Sequence, residues 1–206
     1  FNSAYYAAGA DKSGKTAYLP AIMQAYIDGR ALIASANGEA LTEEQRQQLK
    51  GYASVIEENW EKVFAEAIFK YAGSVYKDIG KIRAASTDEE RAKAFRAYGK
   101  HWSELKGFAM GIQAGKNNLG KTAVQLNRLI GYSPVTLDET VVSGIDADGN
   151  FIKDRKLSWN SYQLHMLRVQ ELMISAFGVE ARANDATEEL AGILEGLSND
   201  GGAETD

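Results

Sequence analysis

The stretch at residues 42–82 decides the fold, and it reads TEEQRQQLKGYASVIEENWEKVFAEAIFKYAGSVYKDIGKI. Thr42 and Gln45 form a capping-box pattern, in which two side chains satisfy free backbone N–H groups at a helix start. No proline follows, so the stretch predicts a helix from roughly 43 to 83, about 60 Å long. Gly73 and Gly80 leave two abutting helices as the alternative. Apolar residues recur at steps of three and four: Leu49, Tyr52, Ile56, Trp60, Val63, Ala67, Tyr71, Val75, Ile79 and Ile82.

Further helices are predicted on both sides of this stretch. Residues 1–15 show no apolar period, whereas a helical pattern runs from Thr16 to Asn37, a residue that tolerates the left-handed conformation of a helix end. Thr87, followed by Glu90, begins the next helix with a second capping box. The apolar stripe of that helix consists of Ala94, Tyr98, His101, Leu105, Phe108 and Ile112.

The C-terminal part of the sequence predicts shorter elements. A short helix fits residues 122–131. The turn dipeptide Asp148-Gly149 lies in an insertion at about 132–157, which we expect to be an irregular loop or a short hairpin. Ser158 and Gly178 then begin and close another helix.

Together these elements predict an all-α fold, an antiparallel bundle of five to six helices with one irregular insertion. We expect one domain over residues 1–197, whose last helix starts at Asn184 or Asp185 and ends near Leu197. The tail at 198–206 is predicted to be flexible.

Composition excludes several classes of function. The 206 residues carry a formal charge of −5, without the basic excess of a nucleic-acid binder. No apolar run is long enough for a transmembrane helix. The chain lacks cysteine and has two histidines, His101 and His165. It begins with Phe1 and shows no signal peptide, so we expect a processed or partial chain whose targeting segment is out of view.

Two short motifs receive a structural interpretation. Asp146, Asp148 and Asn150, with Asp154 further on, alternate as calcium ligands do, but the glycine and glutamate positions of an EF-hand are not met. A polar turn is the preferred interpretation. Residues 9–16 match the spacing of a nucleotide-binding phosphate loop, yet no apolar strand precedes them, so we do not expect nucleotide binding.

His101 and Glu104 form a more informative pair, because residues three apart are neighbours on a helix surface. An imidazole and a carboxylate facing inward can ligate a divalent or iron cation. His165 is the weaker third candidate. The alternative is a structural histidine bonded to Glu104, with Lys100 paired to the same carboxylate. A facing helix would have to supply further ligands, and the candidates are Glu57, Glu58, Glu61, Glu66 and Glu171.

The sequence around this pair resembles a known family. Gly99, His101 and Glu104 give the pattern Gly-x-His-x-x-Glu, which is similar to the signature of the imelysin-like bacterial envelope proteins. The segments 58–63 and 67–71 resemble an uncharacterised imelysin-related branch, and the similarity extends over roughly residues 16–130.

The resemblance implies an all-α protein exported to the periplasm or held on the outer membrane as a lipoprotein. It implies a metal motif at Gly99, His101 and Glu104, and an association with iron uptake. Family members are about twice as long, so this chain resembles their C-terminal half. An N-terminal half or another envelope protein is then the expected partner, and it would contribute the remaining ligands.

Three functions remain open. The leading hypothesis is a non-enzymatic envelope domain that binds a metal or a small ligand at His101 and Glu104, in iron acquisition. The first alternative is a metallopeptidase with the same ligands, although no residue can be named as its general base. The second is a structural or protein-interaction module whose partner surface would draw on the aromatic residues Tyr5, Tyr6, Trp102, Trp159 and Tyr162.

Overall fold

The computed structural model describes residues 2–115, 117–153 and 155–190, with Asn2 described by its backbone alone. Over these residues the chain is an all-α bundle, as predicted, with six α-helices, a further helical segment at residues 187–190, one 3₁₀ turn and a small hairpin. The helices are α1 Asn2–Asp11, α2 Tyr18–Ser35, α3 Glu43–Ala84, α4 Asp88–Gly111, α5 Gly120–Ile130 and α6 Trp159–Phe177, and the turn is Ile112–Ala114.

Helix α3 is the axis of the bundle, and α2, α4 and α6 run antiparallel to it. The cores of α3, α4 and α6 form one hydrophobic cluster that includes Phe69, Leu105 and Met166. In each of these helices, residues later in the chain contact residues earlier in α3, which shows the antiparallel order. The contacts are Tyr18–Glu66 and Gly29–Leu49 for α2, His101–Asp78 and Gly111–Phe64 for α4, and Gln163–Tyr76 and Gln170–Phe69 for α6.

Helix α3 is continuous through both glycines, so the alternative of two abutting helices is wrong. Gly73 serves a close contact instead. A Cβ atom built on it would lie 1.9 Å from the carbonyl oxygen of Asn184. The missing side chain therefore lets the segment after α6 pack directly on the helix backbone. At Gly80 the nearest atom to such a Cβ, on Gln163, is 3.9 Å away, which is ordinary contact.

Helix α1 is the element that the sequence pattern did not predict. It buries Ala7 against Tyr18 and Val63, and its other residues are small or partly exposed, so no apolar period marks it. The side chain of its last residue, Asp11, caps the start of α2. The carboxylate accepts hydrogen bonds from the backbone N–H groups of Tyr18 and Leu19, at 2.8 and 2.9 Å. Helix α2 therefore starts two residues later than Thr16.

The insertion forms a short antiparallel hairpin. Of the two predicted forms, an irregular loop or a short hairpin, the hairpin is confirmed. Its four two-residue strands are β1 Thr140–Val141, β2 Gly144–Ile145, β3 Phe151–Ile152 and β4 Arg155–Lys156. Strand β1 pairs with β4 and β2 pairs with β3, in one common register. The tip is a turn closed by the carboxylate of Asp146, which accepts the N–H groups of Asp148 and Asn150.

The ends of the chain are described in part. Residues 187–190 are helical, so the last helix begins two residues after the predicted Asp185, whose carboxylate accepts the N–H of Thr187. Phe1, Asp154, the predicted helix end at Leu197 and the predicted tail at 198–206 lie outside the described residues. Within the described ranges, every helix is too short or too polar to cross a membrane.

Candidate functional site

The sequence stripe predicted His101 within the apolar seam of α4. In the structure His101 lies at the edge of that seam. The fully packed positions of α4 are Tyr98, Trp102 and Leu105, so the seam passes one residue beside His101. The reason is that Trp102 reaches across the core and donates its indole N–H to the Tyr162 hydroxyl of α6, at 2.7 Å. His101 thereby faces α3 and keeps 30% of its side chain exposed.

The partner of His101 is Asp78 of α3, which is not among the ligand candidates predicted from the sequence. The His101 Nδ1 atom lies 2.5 Å from Asp78 Oδ2, and the Asp78 side chain is 2% exposed. A carboxylate only accepts hydrogen bonds, so Nδ1 carries the proton and Nε2 is left for another partner. The other carboxylate oxygen of Asp78 accepts from Lys81 Nζ at 2.9 Å.

Tyr71 joins Glu104 to this pair. The ring centroids of Tyr71 and His101 are 6.0 Å apart, and the Tyr71 and Tyr6 hydroxyl groups are hydrogen-bonded at 2.7 Å. Burial, the Tyr6 hydroxyl and the Glu104 carboxylate together raise the pKa of Tyr71 well above its ordinary value. Glu104 is therefore near enough to Tyr71 to influence its hydroxyl group, and His101 lies beside the ring of the same tyrosine.

An aromatic wall, defined as Tyr6, Tyr71 and Phe108, closes this site on the side of α1. Phe108 stacks on Tyr71 with a centroid distance of 5.9 Å and meets Tyr6 edge-on at 4.6 Å. Lys70 Nζ lies 5.3 Å from the Tyr71 centroid and 5.8 Å from that of Tyr6, within the range of cation–π attraction. The site is thus the bonded pair Asp78–His101 beside a wall of rings, with Glu104 near Tyr71.

Two other predicted interactions are different in the structure. Over the described residues, the structure shows no hydrogen bond between His101 and Glu104 and no ion pair between Lys100 and Glu104. The histidine is bonded across helices instead of along its own. At Gly99 a Cβ atom would meet nothing within 4 Å, so the packing of described residues does not require this glycine.

The predicted additional ligands do not converge on His101. Glu66 accepts backbone N–H groups of residues 180–182, and Glu61 accepts the side-chain amide of Asn117. Glu171 lines a groove between α5 and α6. In the part of the chain that the structure describes, no three His, Asp or Glu side chains are placed to hold one metal ion.

His165 lies apart from the site, on α6. Its ring is 6.0 Å from that of Tyr162, and its buried Nδ1 has no hydrogen-bond partner among the described residues. Burial is the main cause that lowers the pKa of His165; a hydrogen bond to the Leu129 backbone opposes it, and the positive charges of Arg168 and Arg155 add smaller lowering effects. The lowered pKa favours the neutral form of this imidazole, which lies away from His101 and Glu104.

The remaining motifs are parts of turns. Asp146 closes the hairpin tip, and hydrogen bonds from Asn150 lower the pKa of its carboxyl group. Residues 9–16 span the end of α1 and the connection to α2, where Thr16 donates to Asp11. Of the aromatic residues considered for a partner surface, Trp102, Trp159 and Tyr162 are buried in the core, whereas Tyr5 is exposed.

A sequence signal for Asp78 did exist. Asp78 follows Val75 by three residues and precedes Ile82 by four, so it falls within the apolar stripe of α3. Acidic residues are rarely fully buried unless they are paired, so an aspartate in such a stripe predicts a partner on the facing helix.

Comparison of the whole chain with family models, with curated proteins and with solved structures gives no significant match.

Proposed function

We propose that this chain is a non-catalytic, imelysin-like helical domain of the bacterial envelope that binds a metal ion or a small ligand at His101 and Glu104. The observation that carries the proposal is the hydrogen bond from His101 to the buried Asp78. The periplasm or the outer membrane is the proposed location, and iron acquisition is the proposed process, both from the family resemblance.

The Asp78–His101 bond supports binding because it orients the imidazole. Histidines that ligate metals usually donate their other ring N–H to a carboxylate or carbonyl, which fixes the ring and makes the ligating nitrogen more basic. Here Asp78 fixes the Nδ1 side of the ring and 30% of the side chain stays exposed, which leaves Nε2 as the nitrogen proposed to bind the ligand. Glu104 supplies a carboxylate beside the same tyrosine.

The donor types suit zinc or iron, which accept imidazole nitrogen and carboxylate oxygen. The number of donors is the constraint. His101 and Glu104 supply two ligands from the described residues, whereas a closed zinc site has four. The other positions would be filled by water, by the ligand itself, or by the N-terminal half or envelope partner that the resemblance implies.

Ligand binding requires fewer groups around His101 than proteolysis does. A metallopeptidase needs a metal-bound water and a general base in addition to its ligands. If Glu104 ligates the metal, the described surroundings of His101 offer Tyr71, which is already hydrogen-bonded to Tyr6 and has a raised pKa, and Asp78, which is bonded to His101 and Lys81. Neither is suited to activating water.

Calorimetric titration with Zn²⁺, Fe²⁺ and Cu²⁺, together with metal analysis of the purified protein, tests the proposal. We expect one site in the wild type, lost in His101→Ala and at least about tenfold weaker in Asp78→Asn, because loss of such a supporting carboxylate typically costs 10–100-fold in affinity. His165→Gln is the matched control, since it removes the other imidazole and should leave binding unchanged. Equal binding by wild type and His101→Ala would contradict a metal site here.

A further inference from the structure

On the far side of the aromatic wall is a second pocket, separate from His101. It lies between α1, α3 and residues 181–183, and its volume is about 130 Å³. Its larger side chains come from Tyr5 and Tyr6 of α1, from Lys12 in the turn after α1, and from Glu66 and Lys70 of α3, and most of the remaining wall is alanine. The pocket thus combines small apolar walls with two ammonium groups.

The acidic groups around this pocket are already engaged. The Glu66 carboxylate accepts the backbone N–H groups of Glu180, Ala181 and Arg182 at 2.7, 2.9 and 3.2 Å, and the Tyr18 hydroxyl at 3.3 Å. The Asp11 carboxylate is used in the same way at the start of α2. These oxygens face N–H and O–H donors, and among the described residues neither carboxylate lies within ion-pair distance of Lys12 or Lys70.

The two lysines, by contrast, have no anionic partner among the residues that the structure describes. Lys70 is nevertheless held in place, because its ammonium group lies over the rings of Tyr6 and Tyr71. A positioned ammonium group that retains its full charge is a ready partner for a carboxylate. Lys12 adds a second positive charge to the lining of the pocket.

We propose that this pocket binds a small monocarboxylate, with its apolar body against the alanine-lined wall and its carboxylate between Lys70 and Lys12. The pocket volume limits the ligand to a body of about the size of one aromatic ring. Tyr5 and Tyr6 at the rim offer ring faces on which such a body can pack.

An NMR titration of the full chain with benzoate tests this proposal, with the uncharged benzamide as the ligand control. We expect benzoate to shift resonances of α1, of residues 66–70 and of residues 181–183, and benzamide to bind at least about tenfold more weakly. Lys70→Met should weaken benzoate binding by at least about tenfold, Lys12→Met by less, and Lys70→Arg should retain most of it.

Lys62→Met is the matched protein control, because Lys62 is an exposed lysine of the same helix and lies outside the pocket. It should bind benzoate as the wild type does. Equal binding of benzoate and benzamide, or unchanged benzoate binding in a folded Lys70→Met variant, would overturn the proposal. Metal binding at His101 is read separately by calorimetry, so the two sites can fail independently.

Discussion

The two halves of α3 belong to one unbroken helix but lie in different surroundings. All of its buried residues fall between Val63 and Ile82, where α4, α6 and the segment after α6 cover it. The half from Glu43 to Trp60 has α2 alongside and no fully buried residue. A glycine in each half shows the contrast: a Cβ on Gly73 would collide with a backbone carbonyl, and a Cβ on Gly51 would meet nothing within 4 Å.

This difference separates two sources of helix stability. The exposed half is supported by local interactions, namely the Thr42 capping box and side-chain hydrogen bonds such as Gln47 to Glu43 and Gln48 to Tyr52. Such local contacts contribute about 0.2–1 kcal/mol each. The buried half is supported by packing, so changes there should cost several times more.

The largest effect is expected from Gly73→Ala. The added methyl group would displace the Asn184 carbonyl and disturb the buried Gln170 amide, 2.7 Å from the same Cβ position. Since backbone has to move, we expect a loss of at least about 3 kcal/mol in unfolding free energy, measured by urea denaturation. Gly80→Ala in the same half is the control and should be neutral or stabilising. A Gly73→Ala variant as stable as wild type would show that the segment after α6 does not pack on α3.

A second, smaller effect is expected from Gln170→Leu. The Gln170 side chain is fully buried, donates to the carbonyls of Phe69 and Asn184, and accepts the N–H of Ala186, each at 3.0 Å. Removing the amide leaves buried backbone groups without partners, which should cost about 2 kcal/mol. Gln48→Leu, in the exposed half, should change the unfolding free energy by less than about 0.5 kcal/mol. Similar losses in both variants would contradict the division of α3.

The response to pH should also differ between the regions. His165 lies on the helix that covers the buried half, and burial lowers its pKa. In the unfolded chain His165 binds a proton near the ordinary histidine pKa of about 6.5, whereas in the folded chain it does so only at lower pH. The contribution of the neutral His165 to the unfolding free energy is therefore fully present above about pH 6.5 and is lost as the pH falls. Glu43, in the exposed half, has its pKa lowered by Gln47 and Arg46 and acts only at more acidic pH.

Unfolding free energies of wild type and His165→Gln, measured between about pH 7.5 and pH 5.5, isolate the contribution of His165, because the two proteins share every other titratable group. The wild type should lose more stability than the variant over this range. Parallel curves would mean that His165 is solvated in the folded protein.

Local signals explain which parts of the fold were predictable. The capping residues Thr42, Thr87 and Ser158 and the left-handed Gly178 act within one helical turn, and each begins or ends a helix as predicted. Helix α1 has no such periodic signal, because its contribution is a few small residues packed on α2 and α3.

For the site, the sequence predicts that His101 and Glu104 share a helix surface, because this depends on helical spacing alone. It does not predict the bond to Asp78, because that bond depends on the register of α4 against α3. The function of Gly73 is hidden for the same reason: its contact is with Asn184, 111 residues along the chain and across a packed interface.

The smallest predicted effect, that of Gly51→Ala, tests whether the two halves unfold together. Alanine is favoured over glycine in a helix by about 1 kcal/mol, and the added methyl group has open space here, so the exposed half should gain up to that amount. If this half opens on its own, native-state hydrogen exchange should slow by up to about fivefold over residues 43–60 and stay unchanged over 63–82. Equal slowing in both ranges would mean that α3 unfolds as one unit, and that packing on the buried half also stabilises the exposed half.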